Sequence, residues 1–151
     1  MWQLTLPSYS YNVKKTAGRW MILDILRKKY VALTPEEWVR QHFLHYIINE
    51  KMYPATLIAV EQQIEVNGQR KRCDAVLYNS TMQPVAIFEF KAPYISIGQE
   101  TFDQVSVYNT TLQLPFIIIS NGVTHFFAKV SSSRKGYEIE VGIPDYHQLN
   151  C

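Results

Sequence analysis

The residues with the clearest chemical potential lie in the run Ile87-Phe88-Glu89-Phe90-Lys91-Ala92-Pro93. Read as a strand, its side chains alternate, so Glu89 and Lys91 share one face while Phe88 and Phe90 take the other. A carboxylate and an ammonium at the end of an otherwise apolar strand are costly unless they have partners. Asp74 falls in the preceding strand, where antiparallel pairing can bring it beside Glu89. Two close carboxylates repel, and their pKa values are pushed apart unless a cation joins them. Mg²⁺ suits such a pair, because it takes a few carboxylates and leaves its other positions to water and phosphate oxygens.

A plainer account of the same residues is a cross-strand Glu–Lys ion pair at a sheet edge, with Asp74 in a turn. The next helix bears on the choice. Gln104 and Tyr108 are four apart, on the stripe that also carries Val105 and Leu112. Polar groups on a core-facing stripe need either a polar destination or a satisfied buried hydrogen bond. His42 and His45 stand three apart, but no Cys or Glu at matching spacing completes a zinc set; they read as half-buried surface groups. Glu61 falls in the strand before Asp74 and lies within reach of the site, its direction left open by the sequence.

The elements that must hold these residues follow from periodicity and punctuation. Residues 1–19 read as an irregular or extended arm, and 20–30 as a short helix or turn. Thr34 as N-cap, Pro35 at the first helical position and Glu37 three after the cap form a capping box. Val39, Phe43, Tyr46 and Ile47 follow at helical spacing, so this first helix runs to about residue 51. Strands are expected over 57–66, 71–79 and 84–91, antiparallel because their links are short. Ser96 and Gln99 suggest a capping box for a second helix, whose inward face would be Thr101, Gln104, Val105, Tyr108 and Leu112. Residues 115–120 make a continuous apolar strand of the kind buried on both faces, and Asn121-Gly122 turns into a last strand over 124–130. The order α-β-β-β-α-β-β defines an α/β fold, a mixed β-sheet flanked by helices, in one domain over 1–151. Within it, 1–33 form the arm and short helix, 34–130 the core and 131–151 a C-terminal extension.

Bulk properties agree with a folded domain. Hydrophobic residues make up 47% and charged residues 19% of the 151, which argues against disorder. The net charge is only +2, but eleven of the fifteen basic residues cluster: Lys14, Lys15 and Arg19; Arg27, Lys28 and Lys29; Arg70, Lys71 and Arg72; Arg134 and Lys135. Each cluster is a candidate phosphate contact if folding gathers them, and a solvated loop if it does not. Cys73 and Cys151 form neither a C-x-x-C pair nor a disulfide framework. No secretory signal and no apolar run of spanning length is read, so a cytoplasmic protein without a membrane segment is expected and the sequons at Asn79 and Asn109 are accidental. No Walker A pattern occurs, which assigns any motor to another chain.

Asp74, Glu89-Phe90-Lys91 and Gln104-x-x-x-Tyr108 together resemble the PD-(D/E)XK nuclease superfamily with its Q-x-x-x-Y extension. More narrowly, the chain resembles the N-terminal nuclease-like domain of type I restriction R subunits, in a small stand-alone bacterial form. Asp24-x-x-Arg27-Lys28-Lys29-Tyr30-Val31, the run Leu33 to Gln41, and Ser120-Asn121-Gly122 carry that narrower likeness. The resemblance implies a restriction-endonuclease-like core and a Mg- or Mn-dependent DNA endonuclease of a restriction or defence system. Its alternative is a non-catalytic nuclease-fold module that binds DNA or a protein. By the same resemblance Asp74, Glu89 and the Phe90 carbonyl would hold the ion, Lys91 would act on water and transition state, and Gln104 and Tyr108 would position DNA or the metal shell. Many relatives add a glutamate from the first helix. Glu37 has its capping role, whereas Glu36 shares a face with Val39, Arg40, Phe43 and Ile47, so Glu36 is the expected ligand. Arg70, Lys71 and Arg72, leading into Asp74, are the expected DNA contacts, and a separate helicase or restriction–modification chain is the expected partner. The proline usual before the first aspartate is Cys73 here, a departure that spares the ligand itself.

Overall fold

A computed structural model describes residues 1–131 and 136–151; the Arg134 and Lys135 cluster lies outside them. Helix α1 (Pro35–Asn49) starts as its sequence dictates, with the Thr34 side chain accepting from the Glu37 amide at 3.1 Å. It buries Val39, Phe43, Leu44 and Ile47 against one face of the main sheet.

That sheet has six strands: β4 (Ile58–Val66), β5 (Gln69–Tyr78), β6 (Pro84–Phe90), β7 (Phe116–Ser120), β8 (His125–Val130) and β9 (Tyr137–Glu140), in spatial order of sequence. β4, β5 and β6 form an antiparallel meander. β7 then joins β6 in parallel after helix α2 (Gln99–Leu112) crosses over, and all five of its residues are buried. Central parallel strands are covered on both faces, as this composition requires. Ala75, Leu77, Phe88 and Phe90 pack on the α1 side; Val76, Ile87, Ile117 and Ile119 pack on the other side with Phe102 and Val105 of α2. The α/β architecture, a mixed sheet flanked by helices, is the expected one.

Three parts depart from expectation. Residues 20–30 are not a helix. They belong to a separate three-stranded antiparallel sheet, β1 (Val13–Thr16), β2 (Arg19–Asp24) and β3 (Lys29–Ala32). The fully buried Asp24 explains this, since its carboxylate accepts from the amides of Leu26 and Arg27 and so closes a turn that competes with helix. Helix α2 is capped by Gly98 without a side-chain bond, so Ser96 plays no capping part. Its buried stripe is Thr101, Phe102, Val105 and Asn109, which rotates Gln104 outward. Asn109 fixes this rotation: its amide group bonds both the N–H and the C=O of Leu114, tying the helix end to β7. Finally, the C-terminal extension adds strand β9 and a 3₁₀ turn, Tyr146–Leu149, and places Ile143 and Leu149 in the α1-side core.

Candidate active site

Two features bring the acidic residues together. Ala75 pairs with Phe88 across β5 and β6, so the same register continued one step sets Asp74 opposite Glu89. The ladder ends there, and the Phe90 amide donates instead to Asp74 Oδ2 at 2.7 Å. In an extended strand the N–H and C=O of one residue point to the same neighbour. The Phe90 carbonyl is therefore directed to the Asp74 side of β6, while the Lys91 amide turns the other way, to Ser120 O at 2.9 Å. Lys91 Nζ meets Glu89 Oε1 at 3.2 Å, so the strand's two polar side chains share a face.

On β4 the residue facing Asp74 is Glu61, between the pairs Val60–Ala75 and Gln62–Cys73. Glu61 has φ 57°, a left-handed conformation that side-chain-bearing residues rarely take inside a strand. Side-chain alternation slips at the same level: Cys73 and Val76, three apart on β5, pack in the same α2-side core. The slip lets Glu61 reach the α1 face, where its Oε1 takes Arg40 at 2.7 Å and its Oε2 takes Arg72 at 3.4 Å. Local strain of this kind costs on the order of 1–3 kcal/mol and persists where surrounding contacts enforce it.

Arg40 is the centre of those contacts. It is 7% exposed. Its guanidinium donates to Glu37 Oε1 at 2.6 Å and Oε2 at 3.0 Å, to Glu61, and through Nη1 to the Asp74 backbone carbonyl at 3.1 Å. Glu37 also accepts from Arg27 at 3.0 Å and Gln41 at 2.9 Å, and Arg27 in turn pairs with the buried Asp24. This chain of charges connects the N-terminal sheet, α1 and the main sheet. Burial and the Asp74 carboxylate beside it push Glu89 up to about 7, and burial likewise raises Asp74 against the lowering pull of the Phe90 N–H and Arg40. Burial pushes the Cys73 thiol up to about 12, which makes it an inert neighbour rather than a nucleophile.

The site opens into a cleft of about 340 Å³ lined by Arg27, Val31 and Ala32 on one side and by Glu61, Asp74, Glu89 and Phe90 on the other, with Glu36 and Glu37 at the helix start. Both helix glutamates line the cleft, and it is Glu37 that departs from its expected orientation. Glu36 is exposed, and Glu37 is buried, because Arg27 and Arg40 draw its carboxylate inward instead of letting it return to the helix start. Tyr108 is half-buried and feels the charges of Glu89, Lys91 and Asp74, with burial as the larger cause of its raised pKa. Gln104 is exposed and makes no hydrogen bond among the described residues, because Asn109 and Phe102 set the helix rotation. Arg70 and Lys71 stand exposed on β5, leading to the half-buried Asp74. His42 and His45 face the N-terminal arm: His42 Nδ1 donates to the Trp38 carbonyl, and the His45 ring stacks on Tyr9.

Among the described residues no three His, Cys, Asp or Glu side chains converge as a ready cage for a metal. Mg²⁺ needs fewer, since one or two carboxylates with waters suffice. Asp74, Glu89 and the Phe90 carbonyl offer hard oxygens, and two raised carboxyls sharing one place are what a divalent cation relieves. The donor set fits such an ion. Asp24, Arg27 and Arg40 entered the sequence reading only through a resemblance, a basic cluster and a helix face, with no role at the site. The i,i+3 spacings Asp24 to Arg27 and Glu37 to Arg40 were the available signal.

A sequence profile of the family described as "Type I restriction enzyme R protein N terminus (HSDR_N)" matches residues 35–144. The chain therefore belongs to the type I restriction enzyme R protein N-terminal family. A fragment structure of "a putative HsdR subunit of a type I restriction enzyme" from Vibrio vulnificus YJ016 superposes with a TM-score of 0.54 at 18% identity over 79% of the chain. That likeness concerns the fold, and the match spans about a quarter of the length of that solved fragment chain. No curated protein matches the chain in sequence. No helix among the described residues is long and apolar enough to cross a membrane.

Proposed function

We propose that the chain is a divalent-metal-dependent DNA endonuclease, of the PD-(D/E)XK type, that serves a restriction or defence system. The observation that carries this reading is the Asp74 carboxylate held by the Phe90 amide, directly beside the Glu89–Lys91 pair. Asp74, Glu89 and the Phe90 carbonyl would hold Mg²⁺ or Mn²⁺, which when bound lowers the pKa of water and offsets charge on phosphate oxygens. Lys91 keeps a cation at the same place, where it can orient the attacking water and face the developing negative charge. The Phe90 N–H fixes one Asp74 oxygen and leaves the other free to ligate. Tyr108, in the same field, supplies a hydroxyl for a phosphate or a water. The family supports the restriction setting, and DNA is the substrate this reading requires.

One observation favours the alternative of a nuclease-fold binding module. The carboxylates around Asp74 and Glu89, namely Glu37 and Glu61, are already paired with arginines, so few acidic groups remain to complete a metal shell. A titration with Mg²⁺ or Mn²⁺ followed by plasmid nicking separates the two. Metal binding with nicking supports the endonuclease; DNA binding without either supports the module.

A further inference from the structure

The N-terminal sheet carries the charge clusters that the site leaves unused. Lys14, Lys15, Arg19, Lys28 and Lys29 are all exposed, and none of them makes an ion pair among the described residues. Among the described residues, Arg27, Arg40, Lys51, Arg72, Lys91 and Lys129 have acidic partners, while Arg70 and Lys71, like these five, have none. The β1–β2 register places Lys15 opposite Trp20 and Val13 opposite Ile22. Trp20, Ile22 and Asp24 thus share a face, on which Ile22 and Asp24 are fully buried while Trp20 is 52% exposed. The hairpin therefore runs past the body of the protein, taking Lys15 and Trp20 with it on the face that is inward lower down. Lys14 and Arg19 lie on the other face, where Lys14 sits over the Tyr30 ring at 4.0 Å. The same sheet walls the acidic cleft, through Arg27, Val31 and Ala32.

Lys15 sits over the Trp20 ring at 5.9 Å, so the exposed indole and the neighbouring cations, which have no carboxylate partners, form one patch. It suits a polyanion that also offers apolar edges, because phosphates take the cations and a deoxyribose or groove edge takes the ring. We infer that the β1–β2 hairpin is a clamp for double-stranded DNA, in which Lys14, Lys15 and Arg19 bind backbone phosphates and Trp20 packs against the duplex next to the cleft. This rests on the reading of the cleft as a DNA-cleaving site and says where the duplex lies relative to it. The β4–β5 strands, with exposed Arg70 and Lys71, form the opposite wall, so DNA entering the cleft runs between two cationic hairpins.

Binding of a short fluorescein-labelled duplex in EDTA, followed by anisotropy across a sodium chloride series, tests the clamp without cleavage. Each phosphate contact contributes about 0.9 to the slope of log affinity against log salt. The triple variant Lys14→Ala, Lys15→Ala, Arg19→Ala should lower that slope by about 2–3, and Trp20→Ala should weaken binding with the slope unchanged. All four side chains are exposed, and divalent-metal stabilisation of the variants should match wild type. Equal slopes and affinities in wild type and triple variant would overturn the clamp alone. A wild type that binds no duplex at any salt, in EDTA or with Ca²⁺ in its place, would overturn the nuclease reading with it. Binding of phosphatidylserine vesicles in preference to DNA, lost in the triple variant, would overturn the clamp and assign the hairpin to membranes.

Discussion

Arg40 of α1 donates to the backbone carbonyl of Asp74 at 3.1 Å, so a helix residue holds strand β5 by its main chain while binding Glu37 and Glu61 with its other nitrogens. Removing the guanidinium leaves two carboxylates without their shared partner, one of them buried. Arg40→Met should cost about 3–5 kcal/mol, as loss of one member of a buried ionic cluster does. Arg40→Lys should recover only part of this, because an ammonium cannot reproduce the planar fork. Urea unfolding of the three proteins measures both numbers, and a loss below 1 kcal/mol in Arg40→Met would show that the cluster is not a structural tie.

Cleavage and metal binding should separate between two variants. Lys91→Ala should abolish nicking, a loss of at least 10²-fold, and leave Mn²⁺ affinity within a few-fold, since the proposed role of Lys91 is on water and transition state. Asp74→Ala should lose both. Calorimetry with Mn²⁺ and plasmid nicking on the same preparations give the answer. Nicking that survives Lys91→Ala unchanged would mean that the site has been assigned to the wrong residues.

The raised carboxyls give stability a definite pH slope. Glu89 titrates at about 7 when folded and near 4.5 when free, so the folded state holds its proton more tightly. Without metal, this group's contribution is fully present below the free value and is lost as pH rises from about 4.5 to 7, by on the order of 3 kcal/mol at most. Asp74, also raised, adds to the same trend. Glu89→Gln should flatten this slope and be more stable than wild type at pH 8. Saturating Mg²⁺ should oppose the slope, because ligands must be ionised to bind it. Thermal unfolding across pH, with and without Mg²⁺, reads each of these signs.

Glu61 allows backbone cost to be separated from charge. Glu61→Gly and Glu61→Ala both lose the Arg40 and Arg72 pairs, but only alanine must then pay for a positive φ. The glycine variant should be the more stable of the two by about 1 kcal/mol. Equal stabilities would show that the strand relaxes to ordinary geometry once the carboxylate is gone.

Much of the fold was legible because local signals and tertiary packing agree. Thr34, Pro35 and Glu37 start α1 where the sequence puts them, and the apolar run Phe116–Ser120 is the buried central strand. The alternation of Ile87 to Lys91 correctly set Glu89 and Lys91 on one face. What was hidden depends on long-range partners. A short amphipathic stretch such as 20–30 reads as helix until the Asp24 turn is recognised. The rotation of α2 hangs on Asn109 reaching Leu114, a contact that periodicity does not encode. The inward turn of the Glu37 carboxylate likewise follows from Arg27, which arrives beside a sheet the sequence did not reveal.

The β4–β5–β6 meander also bears on how the molecule assembles. Its strands are consecutive neighbours with short connections, so their pairing closes small loops, whereas the β6–β7 pair spans the whole α2 crossover. Asp74 and Glu89 lie on that locally connected part of the sheet, so their mutual repulsion is expected to oppose its pairing. A refolding rate that rises with Mg²⁺ would show that a cation joining them acts on the speed of folding as well as on the finished site; a rate indifferent to Mg²⁺ would place their meeting after the rate-limiting step.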